Sequence, residues 1–531
     1  MHSWPGLWRN ASLGLIMIAC LIGATVTAHA SPALWGKLQN GAYNVGFKTV
    51  FLSDGSRTWH VTRSFTGSFK PDRAGKPVQL DIWFPAAPDH GRKLTVGDYV
   101  APPAPPASVM LRTLMTERSR ADIASAVTAE QLPRLLAQPM AASRNAKPAA
   151  GRFPVILYFG GLNASIDGNS ILGEYLASRG YVFVAISLVG VSDQHPFQST
   201  DPAGLETTVR DVEYAASMLP RHAPADMGRI AVVGHSIGAV EAAIFAARQG
   251  NVAAMVGLDG TYGFRGSVGL LSNAYGYAPR NVRAAVLDLR RPDGEQTAAL
   301  DMTAVEAMRY SDRSLITVPH MHHSDFTAFA MVGRLYRTPT DPTYAGSGWD
   351  RDTGAAGFET VARTVAAFLD AHVKGDAVAW KEVMRIGTKP TLGTIRHLDA
   401  AKVPPTPVEM ADYAAQHGSE GAKALVLESC GKDALADCID AADYNSLGYS
   451  LLGKGRARDG LTLFQLAAWA YPSSANLQDS LADGYFAIGD AVSARKAIQK
   501  AIELAASDPS LNDTDRAGFI ATETARLKQV P

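Results

Sequence analysis

The middle of the chain contains short, continuous apolar runs that alternate with helix-forming segments. Runs of this kind are typical of strands buried on both faces, and the intervening helices imply parallel neighbours with crossover connections. The pattern therefore predicts an α/β fold with a mostly parallel sheet and helices on both faces. The predicted strands are Pro154–Phe159, Tyr181–Ile186, Ile230–Val233, Val252–Leu258, Ala284–Leu289 and Leu315–Val318, and the predicted helices are Ser170–Arg179, Thr207–Leu219 and Phe358–His372.

The region before these runs has a different pattern. Residues 31–100 alternate apolar and polar positions, which predicts strands at Tyr43–Leu52, Val61–Phe69 and Val78–Phe84. Residues 101–150 begin with a proline-rich stretch and continue with helical patterns. We expect this second segment to be an insertion or cap and not a core layer of the α/β domain, which spans 31–386.

Beyond the α/β domain the pattern becomes helical. Residues 387–408 are proline-rich and lack periodicity, which predicts a linker. Residues 409–531 carry two copies of a pattern with a period of about 34 residues, and this resembles tetratricopeptide repeats. Because about three repeats are needed to bury a continuous core, we expect this region to dock on the α/β domain or on a protein partner. The positions are Tyr444, Leu447, Gly448, Phe464, Ala467 and Pro472, followed by Gln478, Leu481, Ala482, Ile498, Ala501 and Ala506.

The first 30 residues have the pattern of a secretory signal peptide. Arg9 precedes an apolar core at Leu13–Ile22, and Ala28-His29-Ala30 is a small-x-small cleavage site. An uncleaved anchor is the alternative, although the apolar core is short for a membrane span. The pattern predicts a secreted or periplasmic protein cleaved after Ala30.

The cysteine content and the net charge of the sequence bear on the compartment and on the kind of partner that the protein has. Cys430 and Cys438 remain in the predicted mature chain, where an oxidising compartment would favour a disulfide; two buried free thiols are the alternative. Lysine plus arginine and aspartate plus glutamate number 50 each, so the net charge is zero. This balance argues against a nucleic-acid partner, which would need a basic face.

The most informative motif follows the third predicted strand. Gly234-His235-Ser236-Ile237-Gly238 is a G-x-S-x-G sequence between a β-branched run and a helix-forming stretch. In that context the serine occupies a tight, strained turn, and the flanking glycines let strand and helix pass closely. Ser236 is therefore the predicted nucleophile.

A serine nucleophile needs a base, and the base needs an acid to orient it. In the chain order serine, acid, histidine, the acid should follow a strand after the turn. Asp259 directly follows the Val252–Leu258 run and is preferred, with Asp293 after the next strand as the alternative.

The histidine should follow the last strand, where three candidates lie close together. His323 is preferred because Phe326, three residues on, would anchor its loop; His320 is the alternative base, and His322 stays open. A metal site built on these histidines would need a further ligand that the sequence does not identify. Backbone N–H groups of Ile237 and Leu162 are the predicted oxyanion-hole donors.

Over residues 40–375 the chain resembles the platelet-activating-factor acetylhydrolase and dienelactone-hydrolase-like branch of the α/β-hydrolases. The resemblance lies in Leu80–Ala86, Gly160-Gly161-Leu162, Gly234–Gly238, Leu258-Asp259-Gly260 and His323–Phe326. It implies an α/β-hydrolase fold, Asp259 as the acid, and no metal or cofactor. The chain departs from the family where Gly160 replaces a histidine, Asn163 replaces the last glycine of the oxyanion loop, and Ala239 replaces a third glycine after the turn.

Together these features predict a serine hydrolase that cleaves carboxylic esters through an acyl-enzyme. A peptidase or amidase with the same residues is one alternative. A scaffold protein with a vestigial hydrolase domain, binding partners through the helical repeats, is the other.

Overall fold

The computed structural model describes residues 31–60, 74–88, 91–292, 299–336, 351–386, 392–432 and 435–529. Three predictions fall outside these residues: the signal peptide at 1–30, the strand at Val61–Phe69, and the alternative acid Asp293.

Strands and helices alternate through the α/β domain, and helices alone follow it. The strands are β1 (Asn44–Asp54), β2 (Lys76–Ala86), β3 (Lys93–Thr95), β4 (Pro139–Arg144), β5 (Phe153–Phe159), β6 (Val182–Ile186), β7 (Ala225–His235), β8 (Val252–Leu258), β9 (Ala285–Arg290), β10 (Arg313–Thr317) and β11 (Ile395–Leu398). The helices are α1 (Val96–Val100), α2 (Val109–Ala124), α3 (Leu132–Leu136), α4 (Ser170–Ser178), α5 (Pro202–Met218), α6 (Ile237–Arg248), α7 (Val268–Ser272), α8 (Thr303–Glu306), α9 (Phe329–Tyr336), α10 (Arg351–Lys374), α11 (Val378–Ile386), α12 (Pro407–Cys430), α13 (Leu435–Cys438), α14 (Ala441–Gly453), α15 (Ala457–Ala470), α16 (Ala475–Ala487), α17 (Ala491–Ala505) and α18 (Asp513–Gln529).

The strands of the described residues form one sheet in the order β11-β10-β9-β8-β7-β5-β6-β2-β1-β4-β3. The pairs from β10 to β6 are parallel, whereas β2 lies antiparallel to both β6 and β1. The apolar runs of the sequence are the central strands β5 to β10, which are covered on both faces. This arrangement confirms the predicted α/β fold, and it brings the carboxyl ends of β5, β7, β8, β9 and β10 to the same edge.

Two separate apolar cores lie on the two faces of the sheet. Alternate side chains of the central strands pack with α4, α9 and α10 on one face and with α5 and α6 on the other. Strand β5 illustrates this, since Ile156 and Tyr158 belong to the first core, whereas Val155 and Leu157 belong to the second. A strand whose two faces are both buried has no polar positions, which explains why the run is continuous in the sequence.

The segment 101–150 differs from the prediction in one respect. Helix α2 lies outside the sheet, but β4 pairs in parallel with β1 and antiparallel with β3, and so extends the sheet. Met140 and Ala142 belong to the core, but β4 is short and consists mostly of small residues, so the sequence shows no clear apolar run there.

The predicted linker 387–408 also contains a strand. Ile395–Leu398 forms β11, which pairs antiparallel with β10 and closes that end of the sheet. An edge strand with one half-exposed face carries little apolar pattern, so proline content dominated the sequence-based prediction.

The helical region is joined to the α/β domain by polar contacts. Arg280 forms an ion pair with Asp440, and the Tyr310 hydroxyl lies 3.0 Å from the sulfur of Cys438. Cys438 itself forms a disulfide with Cys430. No helix in the described ranges has both the length and the apolar character needed to cross a membrane.

Candidate active site

Ser236 occupies a strained turn between β7 and α6. Its φ of 57° and ψ of −125° lie outside the regions that non-glycine residues normally adopt. A Cβ atom on Gly234 would approach the Gly238 carbonyl oxygen to 2.3 Å, and one on Gly238 would approach the Phe159 carbonyl oxygen to 2.2 Å. The two glycines are therefore required for strand and helix to pass this closely, and the turn places Ser236 at the N-terminus of α6.

The structure brings Asp259 and His323 into direct contact. Asp259 directly follows β8, and His323 follows β10 in a loop whose Phe326 is fully buried. The Nδ1 atom of His323 lies 2.6 Å from Oδ2 of Asp259. This geometry orients the imidazole and leaves its Nε2 atom on the side away from the carboxylate.

Asp259 is completely buried, and Arg291 also holds its carboxylate. Arg291 donates from Nε to Oδ2 of Asp259 at 2.8 Å and from its backbone N–H to Oδ1 at 3.2 Å. Burial alone would raise the pKa of Asp259, but the hydrogen bond from His323 and the charge of Arg291 together lower it below its usual value. Asp259 is therefore a carboxylate over the whole range in which an enzyme would work.

His235 supplies a second imidazole beside His323. The two ring centroids are 4.7 Å apart, and Nε2 of His235 lies 3.0 Å from the His323 carbonyl oxygen, a contact that requires a proton on Nε2. Burial, followed by the nearby charge of His323, lowers the pKa of His235 to about 3. His235 is therefore a neutral hydrogen-bond donor that ties the histidine loop to the serine turn.

The predicted oxyanion donors flank Ser236. Leu162 lies in the loop after β5, and Ile237 is the first residue of α6, where an N–H has no acceptor within the helix. Within the described residues neither N–H donates a hydrogen bond. Asn163, next to Leu162, has a φ of 53°. Asparagine tolerates this left-handed conformation, which accounts for its presence where the resembled family has glycine.

A cavity of about 690 Å³ opens beside these residues. Ser236, His235 and His323 line it together with Leu162. The end of α2 and the loop after it contribute Ile123 and Ala126, so part of the predicted cap forms a wall of this cavity. The cavity has the size and mixed lining of a small-molecule binding site.

The predicted hydrogen bond between Ser236 and His323 is not formed in the described residues. Oγ of Ser236 lies 3.5 Å from Oγ1 of Thr261, and in the described part of the chain Ser236 and His323 share no hydrogen bond. Such a bond is often long before substrate binds. The structure thus places Ser236 and His323 on one cavity and joins His323 directly to the buried Asp259.

The alternative bases lie elsewhere. His320 is exposed at a φ of 61° and does not line the cavity. His322 is buried, and its backbone N–H donates to Asp325. In the described ranges, the group of side chains that could gather around a metal ion is Asp312, His397 and Asp399, at the β10–β11 edge and outside this cavity.

Three residues of the site were not predicted. Arg291 precedes the alternative acid Asp293 by two positions in the sequence, and an arginine directly after a buried strand was the available signal. His235 was read only as part of the motif, and Thr261 carries no signal in the sequence. All three depend on contacts between segments far apart in the chain, as in the Asp259–Arg291 pair.

One family model agrees with this architecture. A family model described as Chlorophyllase matches residues 116–287, about a third of the chain, which includes Leu162, Ser236 and Asp259 but ends before His323. No curated protein sequence matches the chain.

Among solved structures, a ferulic acid esterase from Streptomyces cinnamoneus is similar, with 22% identity and a TM-score of 0.45, covering 63% of this chain and 91% of the esterase. The sheet order, the tight serine turn and the family match together establish the fold. The chain is an α/β-hydrolase by fold, followed by an all-helical region.

Proposed function

We propose that this protein is a serine hydrolase of carboxylic esters, with Ser236 as nucleophile, His323 as general base and Asp259 as the acid that orients it. The observation that carries the proposal is the strained Ser236 turn, which shares one cavity with a histidine held by a buried carboxylate. The match to the chlorophyllase family over residues 116–287 supports the same reaction class.

The reaction follows from these positions. His323 Nε2 accepts the Ser236 proton while Oγ attacks the ester carbonyl carbon, and the negative charge moves to the carbonyl oxygen. The N–H groups of Ile237 and Leu162 stabilise that oxyanion. His323 then returns the proton to the alcohol as it leaves, which forms an acyl-enzyme. Water, deprotonated by His323, attacks the acyl group and releases the carboxylic acid and free Ser236.

Asp259 acts through His323. Its carboxylate accepts a hydrogen bond from the Nδ1–H of His323, so it selects the tautomer with a free Nε2 and stabilises the imidazolium that forms. The Ser236–His323 hydrogen bond is expected to close when an ester occupies the cavity and excludes water.

The test compares wild-type protein with Ser236→Ala on p-nitrophenyl acetate. The Ser236→Ala protein should fold normally, by circular dichroism, and lose at least 1000-fold in kcat, as removal of a nucleophile does in serine hydrolases. Full activity in the variant would contradict the proposal. Comparison of short esters with aminoacyl anilides separates an esterase from a peptidase or amidase, and a fluorophosphonate probe that labels Ser236 separates either from a scaffold.

We also propose export of the protein with removal of residues 1–30. The Cys430–Cys438 disulfide supports this, because disulfides persist mainly in oxidising compartments. N-terminal sequencing of the protein from its native compartment tests it, with Ser31 expected as the first residue.

A further inference from the structure

The loop that carries the Leu162 N–H contacts a chain of hydrogen-bonded, buried polar side chains that lies outside the cavity. Gln198, in the segment between β6 and α5, faces this loop and is 6% exposed. Behind Gln198 lies Glu241 of α6, which is completely buried. Neither residue lines the cavity, so a role for them must act through the loop.

Gln198 and Asn163 hold each other through both backbone and side chain. The Asn163 N–H donates to Oε1 of Gln198 at 3.0 Å, and the Gln198 N–H donates to Oδ1 of Asn163 at 2.8 Å. Nδ2 of Asn163 also lies 3.4 Å from the Gln198 carbonyl oxygen. These reciprocal bonds stabilise the left-handed conformation of Asn163, which otherwise costs about 1 kcal/mol.

Glu241 fixes the orientation of the Gln198 amide. Nε2 of Gln198 donates to Oε1 of Glu241 at 2.6 Å and lies 3.3 Å from Oγ1 of Thr208. With its NH₂ group engaged there, the amide must present Oε1 to the Asn163 N–H. Glu241 therefore decides which end of the Gln198 side chain faces the loop.

This chain determines the direction of the Leu162 N–H. In a trans peptide, the Gly161 carbonyl points opposite to the Leu162 N–H. The Gly161 carbonyl accepts a hydrogen bond from the Ala164 N–H at 3.0 Å, and the next peptide is held through the Asn163 N–H. Both peptides on either side of Leu162 are thus held. Leu162 lines the cavity, and in the described residues its N–H makes no hydrogen bond, so it is available to a ligand there.

We propose that Gln198 and Glu241 are positioning residues that hold the Leu162 N–H in the orientation that binds the oxyanion. The inference rests on the proposed function and goes beyond it, because neither residue touches the substrate. Removal of the Gln198 amide should destabilise the left-handed conformation of Asn163 and with it the turn closed by the Ala164–Gly161 hydrogen bond. The Gly161–Leu162 peptide could then rotate, and the oxyanion would lose one of its two donors.

The central variant is Gln198→Ala, with Gln79→Ala as its matched control. Gln79 is likewise buried, and its Nε2 donates to a buried carboxylate, that of Asp81, at 3.3 Å. It lies in β2, and within the described residues its hydrogen bonds outside strand pairing go to Ser187 and Asp81 and not to the loop after β5. We expect kcat for p-nitrophenyl acetate to fall 10- to 100-fold in Gln198→Ala, with KM changed less than threefold, and to change less than twofold in Gln79→Ala.

A second pair of variants tests the same hydrogen bonds from the Glu241 side. It also covers the case in which Gln198→Ala does not fold. Glu241→Gln retains an acceptor oxygen for the Gln198 amide and should keep kcat within about twofold of wild type. Glu241→Met has a similar volume but no acceptor and should lower kcat at least fivefold.

A transition-state analogue distinguishes positioning from a loss of stability. A trifluoromethyl ketone forms a hemiketal oxyanion on the nucleophile, so its Ki should rise in proportion to the loss in kcat/KM across the variants. Equal kcat values in Gln198→Ala and Gln79→Ala, or an unchanged Ki in Gln198→Ala, would overturn this inference. The proposed function would still stand. A wild-type protein without Ser236-dependent ester hydrolysis would instead contradict the proposed function, and the inference with it.

Discussion

His235 shows how one buried side chain links catalysis to stability. The residue is 7% exposed, and burial, followed by the charge of His323, lowers its pKa to about 3. In the unfolded chain the same imidazole titrates near 6.5. Between these values the unfolded state binds more protons, so folding stability decreases as the pH falls below about 6.5.

The variant His235→Gln tests this linkage, since glutamine can still donate to the His323 carbonyl but does not titrate. As the pH is lowered from 6 to 4, we expect the free energy of unfolding to fall more steeply in wild type than in the variant. The difference between the two slopes should be up to about 1.4 kcal/mol per pH unit. Urea unfolding at several pH values measures both slopes. Parallel slopes would show that His235 is not held neutral in the folded protein.

Arg291 matters because it shares the Asp259 carboxylate with His323. Substitution by methionine would remove the charge of Arg291 that helps to lower the pKa of Asp259, so burial would raise that pKa and Asp259 would be ionised only at higher pH. A protonated Asp259 no longer stabilises the charged form of His323 that arises when it takes the Ser236 proton. We therefore expect Arg291→Met to lower kcat at neutral pH by about tenfold or more and to shift the rising limb of the kcat–pH profile to higher pH.

The kcat–pH profile of Arg291→Met is compared with that of wild type on p-nitrophenyl acetate. Removal of one partner of a buried ion pair also costs about 3 kcal/mol of stability, so activity is expressed per fluorophosphonate-titrated site. An unshifted profile with normal kcat would show that the ionisation of Asp259 does not depend on Arg291.

Within the helical region, close packing of helix pairs depends on glycines that face aromatic rings. A Cβ atom on Gly448 of α14 would lie 2.4 Å from Cε1 of Phe464 on α15. Gly453, at the end of the same helix, has open space around that position. The two glycines thus offer a matched comparison in a single helix.

We expect Gly448→Ala to destabilise the helical region by about 1–3 kcal/mol, the usual result of overpacking. Gly453→Ala should be neutral or stabilising by up to about 1 kcal/mol, because alanine loses less entropy in a helix. Chemical unfolding of the full chain, followed by far-ultraviolet circular dichroism, measures both. Equal effects would contradict the close contact of α14 and α15.

Across the whole molecule, the disulfide and the active site belong to different parts of the chain. Cys430 and Cys438 join the end of α12 to α13 with a Cα–Cα distance of 6.2 Å, and neither residue lines the cavity. Cys438 also contacts Tyr310 of the α/β domain. The disulfide therefore stabilises the helical region close to its junction with the sheet.

The double variant Cys430→Ser/Cys438→Ser should lose about 2–3 kcal/mol of stability, as expected for closure of a loop with a sequence separation of 8. Its kcat for p-nitrophenyl acetate should stay within twofold of wild type. Dithiothreitol should lower the melting temperature of wild type to that of the variant and leave the variant unchanged. A wild-type protein insensitive to the reductant would contradict the disulfide.

The amino-acid sequence alone was enough to predict the central sheet and the serine turn. Both are local in origin: strands buried on two faces must be continuously apolar, and the Ser236 turn requires glycine at 234 and 238 because backbone atoms approach within about 2 Å of any Cβ there. Strands β4 and β11 were missed because β4 consists mostly of small residues and the half-exposed edge strand β11 carries too little apolar pattern.

Contacts between distant segments could be predicted only where the order of a motif suggested them, as for Asp259 and His323, and other contacts could not. The Asp259–His323 pair joins residues 64 positions apart, and the chain of Asn163, Gln198 and Glu241 spans 78 positions. Side chains such as Gln198 and Arg291 are ordinary polar residues in the sequence, and burial against one particular carboxylate gives them a role. Which polar groups become buried, and against which partners, depends on how the chain brings its strand ends together, and that arrangement exists only in the folded protein.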